Sequence, residues 1–354
     1  MPLSVVVGGQ FGSEGKGKVA LHIAREKRAA FVVRVGGTNS GHTGVDASGK
    51  VVALRQLPVS ILAPNTVAVL PPGAIIDPTI FLREIETLGL DSSRVIVSEF
   101  ASLISKEDIE AEKSSGLVSG IGSTGSGTGA ALMRRMARGS ATTLAGKCDA
   151  LRPFVRSDTT ELMNDALRQN SWIVIEGSQG FGLSLLHGGY YPKATSRDTT
   201  AATFVGEAGL SPRDVRDVVL VLRAHPIRVA GDSGPLTGET TWAEIARQAN
   251  LPEDFQELTT ATRKVRRVGT FDPALVRRAV AANGPTQVVL NHFDYVDPAV
   301  HDNRVSVQGL AFLKNVEDGI GCRIDSVGTG PDILLRRSDL GGKTDQPTSK
   351  YSRQ

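Results

Sequence analysis

Short β-branched runs that end in glycine constrain this chain more than any other feature. Residues 3–9 read LSVVVGG, residues 29–37 AAFVVRVGG and residues 171–180 SWIVIEGSQG. Runs this apolar, without polar alternation, have no face for solvent and belong to strands covered on both sides. Helical segments fall between them. KVALHIAREK follows the first run, and DPTIFLREIETLG (77–89) carries a full set of helix signals. Asp77 is its N-cap, Pro78 sits in the first turn, Ile80, Phe81, Ile85 and Leu88 share a face, and Gly89 stops it. SRVIVSE (93–99), DVVLVLRAHPIRV (217–229), DPALVRRAVAANG (272–284) and QVVLNHFD (287–294) continue the alternation. The expected fold is α/β, with a mainly parallel central β-sheet flanked by helices. Sites are expected where strand C-terminal ends meet glycine loops.

A length of 354 residues would divide into about two or three average domains, but α/β domains reach this size as one unit. No internal repeat divides the chain, so one domain is expected over 1–340, followed by a polar tail over 341–354. The Gly/Ser/Thr-rich stretch 113–129 is compatible with a flexible linker, although a helical pattern, AALMRRMAR, follows at once. The 40 basic and 37 acidic residues leave a net charge of +3. That balance argues against a nucleic-acid partner and suits basic residues gathered locally around small anions. No apolar run approaches membrane-spanning length, and residues 1–9 lack the charged start and long apolar core of a secretion signal. Cys148 and Cys322 lie far apart without metal-ligand spacing and read as reduced thiols of a cytoplasmic protein.

The first strand runs into GGQFGSEGKGK, residues 8–18. Gly12, four residues and then Gly17-Lys18 match the P-loop pattern, but Val19 stands where a magnesium-binding Ser or Thr belongs. The chemistry still suits phosphate. Glycines let backbone N–H groups turn inward, lysines add charge, and a helix N-terminus follows. The competing reading is a tight strand–helix turn with solvated lysines; the density of Gly and Lys directly after a strand favours the anion site.

This loop, together with VGGTNSGHT at 35–43, resembles adenylosuccinate synthetase. GSTGSGTG with MAR (122–138), EGSQG (176–180), YYPKATS (190–196), RKVRRVGTFD (263–272), NHFD (291–294) and GTGPD (328–332) fall in that family's order. The chain is compact for the family, with short stretches at 139–170 and 295–325. The resemblance implies a single catalytic domain that phosphorylates the 6-oxygen of a purine nucleotide and lets L-aspartate displace the phosphate. His42 is then the acid that polarises the 6-oxygen, a role suited to imidazole. Gln179 orients the 6-oxo group through its amide, and Lys16 spreads charge on the transferred phosphoryl group. Gly12, Glu14, Gly15, Lys16 and Gly17 line the triphosphate, and Ser13 with the Gly41 carbonyl faces Mg²⁺, the implied cofactor. Asn39, Thr124, Thr195 and Val229 hold the acceptor nucleotide, and Arg138 reaches the site of a neighbouring subunit, which implies a homodimer.

L-Aspartate needs paired cations. Arg263, Lys264, Arg266 and Arg267 supply them beside the hydroxyls of Thr260 and Thr262; a solvated basic loop is the alternative. Lys264 falls where the family usually has arginine, which leaves room near the ribose for a deoxynucleotide. Asp294, Thr329, Gly330 and Pro331 match the donor-base segment, but His292 replaces the lysine that accompanies guanine recognition. The implied donor is therefore ATP or dATP, with GTP as the alternative.

Ser13 is the sharpest departure. The ordinary family has aspartate there, which takes the N1 proton of IMP and binds Mg²⁺. A serine hydroxyl is a poor base, and one consequence would be an inactive nucleotide-binding protein. Against it, Glu14, Lys16, Gly41, His42 and Gln179 keep the family pattern. A smaller neutral residue beside N1 opens space next to purine C2, where a 2-amino group fits. In this the chain resembles the viral branch of the family, the N6-succino-2-amino-2′-deoxyadenylate synthases, which use dGMP on the route to diaminopurine DNA. The implied reaction joins L-aspartate to C6 of dGMP through a 6-phosphoryl intermediate, in the cytoplasm, or the host cytoplasm for a viral chain. The competing reading is the ordinary reaction on IMP with GTP.

Overall fold

The computed structural model describes residues 1–140, 142–259, 264–302 and 304–340. Its main sheet has ten strands, named here in chain order. They are β1 (Leu3–Gly8), β2 (Phe31–Arg34), β3 (Val67–Leu70), β4 (Val95–Ser98), β5 (Val155–Arg156), β6 (Ile173–Glu176), β7 (Val215–Arg223), β8 (Gln287–Asn291), β9 (Ser326–Thr329) and β10 (Ile333–Arg336). The spatial order is β10-β9-β8-β7-β1-β6-β2-β3-β4-β5. Neighbours are parallel throughout, except the β9–β10 edge pair. The α/β fold expected from the β-branched runs is the one observed.

β1 shows why the runs lack alternation. Leu3, Val5 and Val7 pack into one core with Phe204, Leu275 and Leu313. Val6 enters a second core on the opposite face with Val19, Leu21 and Phe81. Both faces are covered, so every residue of β1 is buried. Because the strands are parallel, the turns after β1, β2, β6, β7, β8 and β9 all open on one edge of the sheet. All six contribute residues to the groups described below.

Helix signals act as read. Helix α1 (Lys16–Lys27) begins directly after the glycine loop. In α2 (Pro78–Leu88), Asp77 accepts the N–H of Thr79 at 2.9 Å and of Ile80 at 3.2 Å, and Gly89 turns left-handed with φ 61°. The apolar face differs from expectation. Phe81 and Ile85 are buried, whereas Ile80 and Leu88 are half-buried and Glu84 takes their place. The Glu84 carboxylate accepts the N–H groups of Arg55 at 2.6 Å and Leu57 at 2.8 Å, which satisfies a buried charge with backbone donors. The 113–129 stretch is built structure, not a linker. Helices α3 (Lys106–Ser114), α4 (Leu117–Ile121) and α5 (Thr128–Met136) succeed one another, separated by left-handed Gly116, Gly122 and Gly127. Glu112 fastens the connection, accepting the Ser123 hydroxyl at 2.8 Å and the Gly127 N–H. No helix among the described residues is long and apolar enough to cross a membrane.

Candidate active site

The glycine loop folds around Glu14, which is fully buried. One carboxylate oxygen accepts the N–H of Gln10 at 3.1 Å and of Gly12 at 2.8 Å, and the other pairs with Lys16 Nζ at 2.6 Å. The loop achieves this by left-handed backbone at Gly12 (φ 91°), Ser13 (φ 56°) and Gly15 (φ 89°). Glu14 was expected to line a triphosphate; its side chain instead faces the loop interior and shapes it. Lys16 reaches the cavity beside the first turn of α1, where free N–H groups favour an anion.

Lys18, the lysine of the P-loop match, points elsewhere. Its Nζ donates to the carbonyls of Gly330 at 3.2 Å and Ile333 at 3.3 Å. Burial lowers it to about 8 despite Asp294 and Asp332. It therefore ties α1 to the segment after β9. Gly17 is pressed against His42, where a Cβ would lie 2.8 Å from the His42 Cβ.

His42 begins a short hairpin (His42–Val45 with Val51–Leu54). Its Nδ1 lies 2.6 Å from Glu176 at the end of β6. Glu176 also accepts the N–H of Val59 at 3.1 Å and of Ser60 at 3.0 Å, and the Ser60 hydroxyl at 2.8 Å. Arg34 Nη1, at the end of β2, is 2.8 Å from His42 Nδ1 and 3.6 Å from Glu176. All three side chains are buried. Burial opposes ionisation of Glu176, but the His42 hydrogen bond and charge, Arg34 and Ser60 outweigh it and hold the carboxyl at about 2. Burial, then the Arg34 charge, pushes His42 down to about 3. An ionised carboxylate at 2.6 Å places the ring proton on Nδ1 and leaves Nε2 as a lone pair. The resting group is thus a neutral, oriented imidazole. An anionic group beside the ring, with Glu176 as counter-charge, would favour the imidazolium, the form that can act as an acid.

A cavity of about 580 Å³ gathers most of the expected residues: Gly12, Ser13, Lys16, Gly41, His42 and Gln179 on one side. Asn39, Thr124, Thr195 and Val229 line it further out, and Lys264 and Arg266 close it from the basic segment. Asn39 Nδ2 donates to Thr195 Oγ1 at 3.4 Å, joining the β2 loop to the 190–196 motif. Gln179, like Ser13, is left-handed (φ 61°). Ser13 is exposed, with no charge of its own to offer. Thr260, Thr262 and Arg263 lie outside the described residues. Arg267, expected to join them, is paired with Glu239 at 2.6 Å and turned away.

The donor-base segment forms a separate group beside Lys18. Asp294 Oδ2 accepts the Gly330 N–H at 3.3 Å, while Asp294 Oδ1, Thr329 Oγ1 and Asn291 Oδ1 are buried without a hydrogen-bond partner. Pro331 is exposed. His292 is left-handed (φ 57°) with its ring 5.1 Å from that of Tyr295. Arg138 does not line the main cavity. It borders a smaller one of about 290 Å³ with Arg135 and Lys147. Its neighbours on α5 are engaged within the chain, Arg134 with Asp108 and Arg135 with the Phe100 carbonyl. Glu176 and Arg34 were missed as site residues, although Glu176 opens the EGSQG motif.

The adenylosuccinate synthetase family model matches residues 5–145 and 140–308. The chain is 35% identical to adenylosuccinate synthetase of Methanococcus aeolicus, over 94% of this chain and 98% of that one. It is 32% identical to that of Pyrococcus horikoshii, over 96% and 99%. Among solved structures, succinoaminodeoxyadenylate synthetase of cyanophage S-2L, bound to dGMP and to dATP as an energy donor, superposes with a TM-score of 0.80 at 30% identity, covering 95% of each chain. The fully ligated adenylosuccinate synthetase of Plasmodium falciparum shares the fold, with a TM-score of 0.83 at 20% identity over 95% of this chain and 100% of that one.

Proposed function

The chain belongs to the adenylosuccinate synthetase family of C–N ligases, which join aspartate to a purine nucleotide, and within that family we propose that its acceptor is dGMP. The observation that carries this reading is Ser13, a small neutral side chain exposed on the cavity wall with Lys16, His42 and Gln179. A larger carboxylate there would crowd a group at purine C2; a hydroxyl leaves room and can face the 2-amino group. The cyanophage enzyme's dGMP complex supports the same choice.

In this reaction the N1 proton of the base passes to solvent water, the 6-oxygen bonds to the terminal phosphorus of a nucleoside triphosphate, and the bond to the bridging oxygen breaks as nucleoside diphosphate leaves. The aspartate amine then bonds to C6 as the C6–O bond breaks and phosphate leaves. Lys16 neutralises the transferred group, and the Gln179 amide orients the 6-oxygen. His42, oriented by Glu176, binds its proton as negative charge gathers there. Lys264 and Arg266 meet the aspartate carboxylates. The Ser13 hydroxyl and Gly41 carbonyl fit Mg²⁺, which takes hard oxygen ligands, keeps waters and shares substrate phosphates; bound there, it would screen phosphoryl charge. No cluster of three His, Cys, Asp or Glu among the described residues makes a protein-only cage, in keeping with a metal carried largely by phosphates. Adenine triphosphates are the proposed donors. The buried unpaired acceptors Asp294 Oδ1 and Thr329 Oγ1 suit adenine N6–H, and the lysine tied to guanine is replaced by His292.

The ordinary reaction on IMP with GTP is the second reading, favoured by the 35% identity to the methanococcal enzyme. The ratio of kcat/KM for dGMP to that for IMP decides between them. The expected ratio is well above one in the wild type, and it falls about tenfold or more in Ser13→Asp. A wild type that prefers IMP refutes the proposal.

A further inference from the structure

A buried network behind the cavity wall links the segments assigned to acceptor, aspartate and donor. Arg223 ends β7 and is fully buried. Its Nη1 donates to the Ser13 carbonyl at 3.1 Å and to Glu257 Oε2 at 3.2 Å, and its Nη2 donates to Glu257 Oε1 at 2.6 Å. Gln10 pins the Arg223 backbone from both sides. Its Oε1 accepts the Arg223 N–H at 2.9 Å, and its Nε2 donates to the Arg223 carbonyl at 3.1 Å. The Tyr295 hydroxyl, next to Asp294, donates to Glu257 Oε1 at 3.2 Å. Glu257 also pairs with the basic segment through its backbone. Its carbonyl accepts the Arg266 N–H at 2.9 Å, and Arg266 Nε donates to the Leu258 carbonyl at 3.1 Å. Neither Arg223 nor Glu257 lines the cavity.

Two features give this pair a purpose beyond packing. Ser13 is held at φ 56°, a conformation that disfavours a residue with a Cβ and needs support from its surroundings. The guanidinium that binds its carbonyl supplies that support. The same guanidinium grips Glu257, whose carbonyl holds the Arg266 N–H. Arginine's planar fork can make these bonds together; a lysine ammonium on a flexible stem cannot reproduce the geometry.

Resting on the assignment of the cavity to acceptor and aspartate, we infer that Arg223 and Glu257 are positioning residues: the pair keeps Ser13 in its left-handed conformation and couples the seating of the acceptor base to the placement of Arg266. Loss of the fork frees the Ser13 peptide and loosens Arg266 at once. The two effects are separable, because glycine adopts positive φ without support.

The test is steady-state kinetics of Arg223→Lys and Glu257→Gln in the full chain, each in the wild-type and the Ser13→Gly background. Arg223→Lys is expected to raise KM for both acceptor and aspartate about tenfold, with a smaller change in kcat. In the Ser13→Gly background the acceptor penalty should shrink to under about threefold, while the aspartate penalty persists. Glu257→Gln is expected to raise aspartate KM about tenfold and acceptor KM less. Unchanged KM values, or equal acceptor penalties in the two backgrounds, overturn the inference. If one variant does not fold, the other carries the test; if neither folds, the pair is a core ion pair and the inference is wrong. A wild type without aspartate-dependent phosphate release overturns the assignment of the cavity instead, and that result is seen before any variant is compared.

Discussion

Replacing Glu176 by glutamine tests the histidine arrangement most directly. The carboxylate makes four hydrogen bonds: to His42 Nδ1 at 2.6 Å, Val59 N–H at 3.1 Å, Ser60 N–H at 3.0 Å and the Ser60 hydroxyl at 2.8 Å. Glutamine offers one acceptor oxygen and turns an NH₂ toward some of these donors. It also removes the charge 3.6 Å from Arg34, a buried cation. Breaking one member of a buried ion pair costs about 3–5 kcal/mol, a large share of a typical 5–15 kcal/mol of folding stability. Activity falls for a second reason. Without the carboxylate, Nδ1 has no fixed proton acceptor and the imidazolium has no counter-charge, so kcat should drop on the order of 10²–10⁴. Phosphate release at saturating substrates, well below the melting midpoint, separates the two effects. Adding His42→Ala to Glu176→Gln should cost less than about threefold more than the slower single variant, because the two residues act as one unit. A Glu176→Gln enzyme within threefold of wild type, or losses that multiply in the double variant, would refute this assignment.

Three further outcomes follow from the same geometry. His42→Ala should lose on the order of 10²–10⁴ in turnover while nucleoside triphosphate still binds in titration calorimetry; near-normal turnover contradicts the role given to His42. Stability should fall on acidification. His42, His225 and His292 are held to about 3, 4 and 3, chiefly by burial. The unfolded chain therefore takes up protons below about pH 6.5 that the fold refuses. Their contribution is complete above that pH and is lost down to about pH 4 for His225 and about pH 3 for His42 and His292, at up to roughly 1.4 kcal/mol per pH unit for each histidine. Urea midpoints at pH 7, 6 and 5 measure it, and a midpoint that rises on acidification contradicts it. Arg138, exposed and off the main cavity of its own chain, is proposed to complete a partner's site. Mixed Arg138→Ala and His42→Ala subunits should then recover activity, and no recovery after proven subunit exchange counts against a shared site.

What the sequence made legible was local. β-Branched runs without alternation mark strands covered on both faces, and Asp77, Gly89 and the glycines of the first loop act within a few residues of themselves. The unread features are pairings across the chain: His42 with Glu176, 134 residues apart, and Arg223 with the Ser13 carbonyl, 210 apart. No periodicity reports such contacts, because they arise where parallel strands bring distant turns to one edge. Lys18 was misread for a different reason, and here the geometry was available. Residues two apart on an α-helix point about 200° from each other, so Lys16 and Lys18 cannot both face one phosphate. With Lys16 on the cavity, Lys18 had to meet whatever packs on the other side of α1, which is the segment after β9. The GKGK motif thus joins two jobs in four residues: one lysine lines the cavity, where we propose it meets the transferred charge, and the other fastens the segment after β9 to α1.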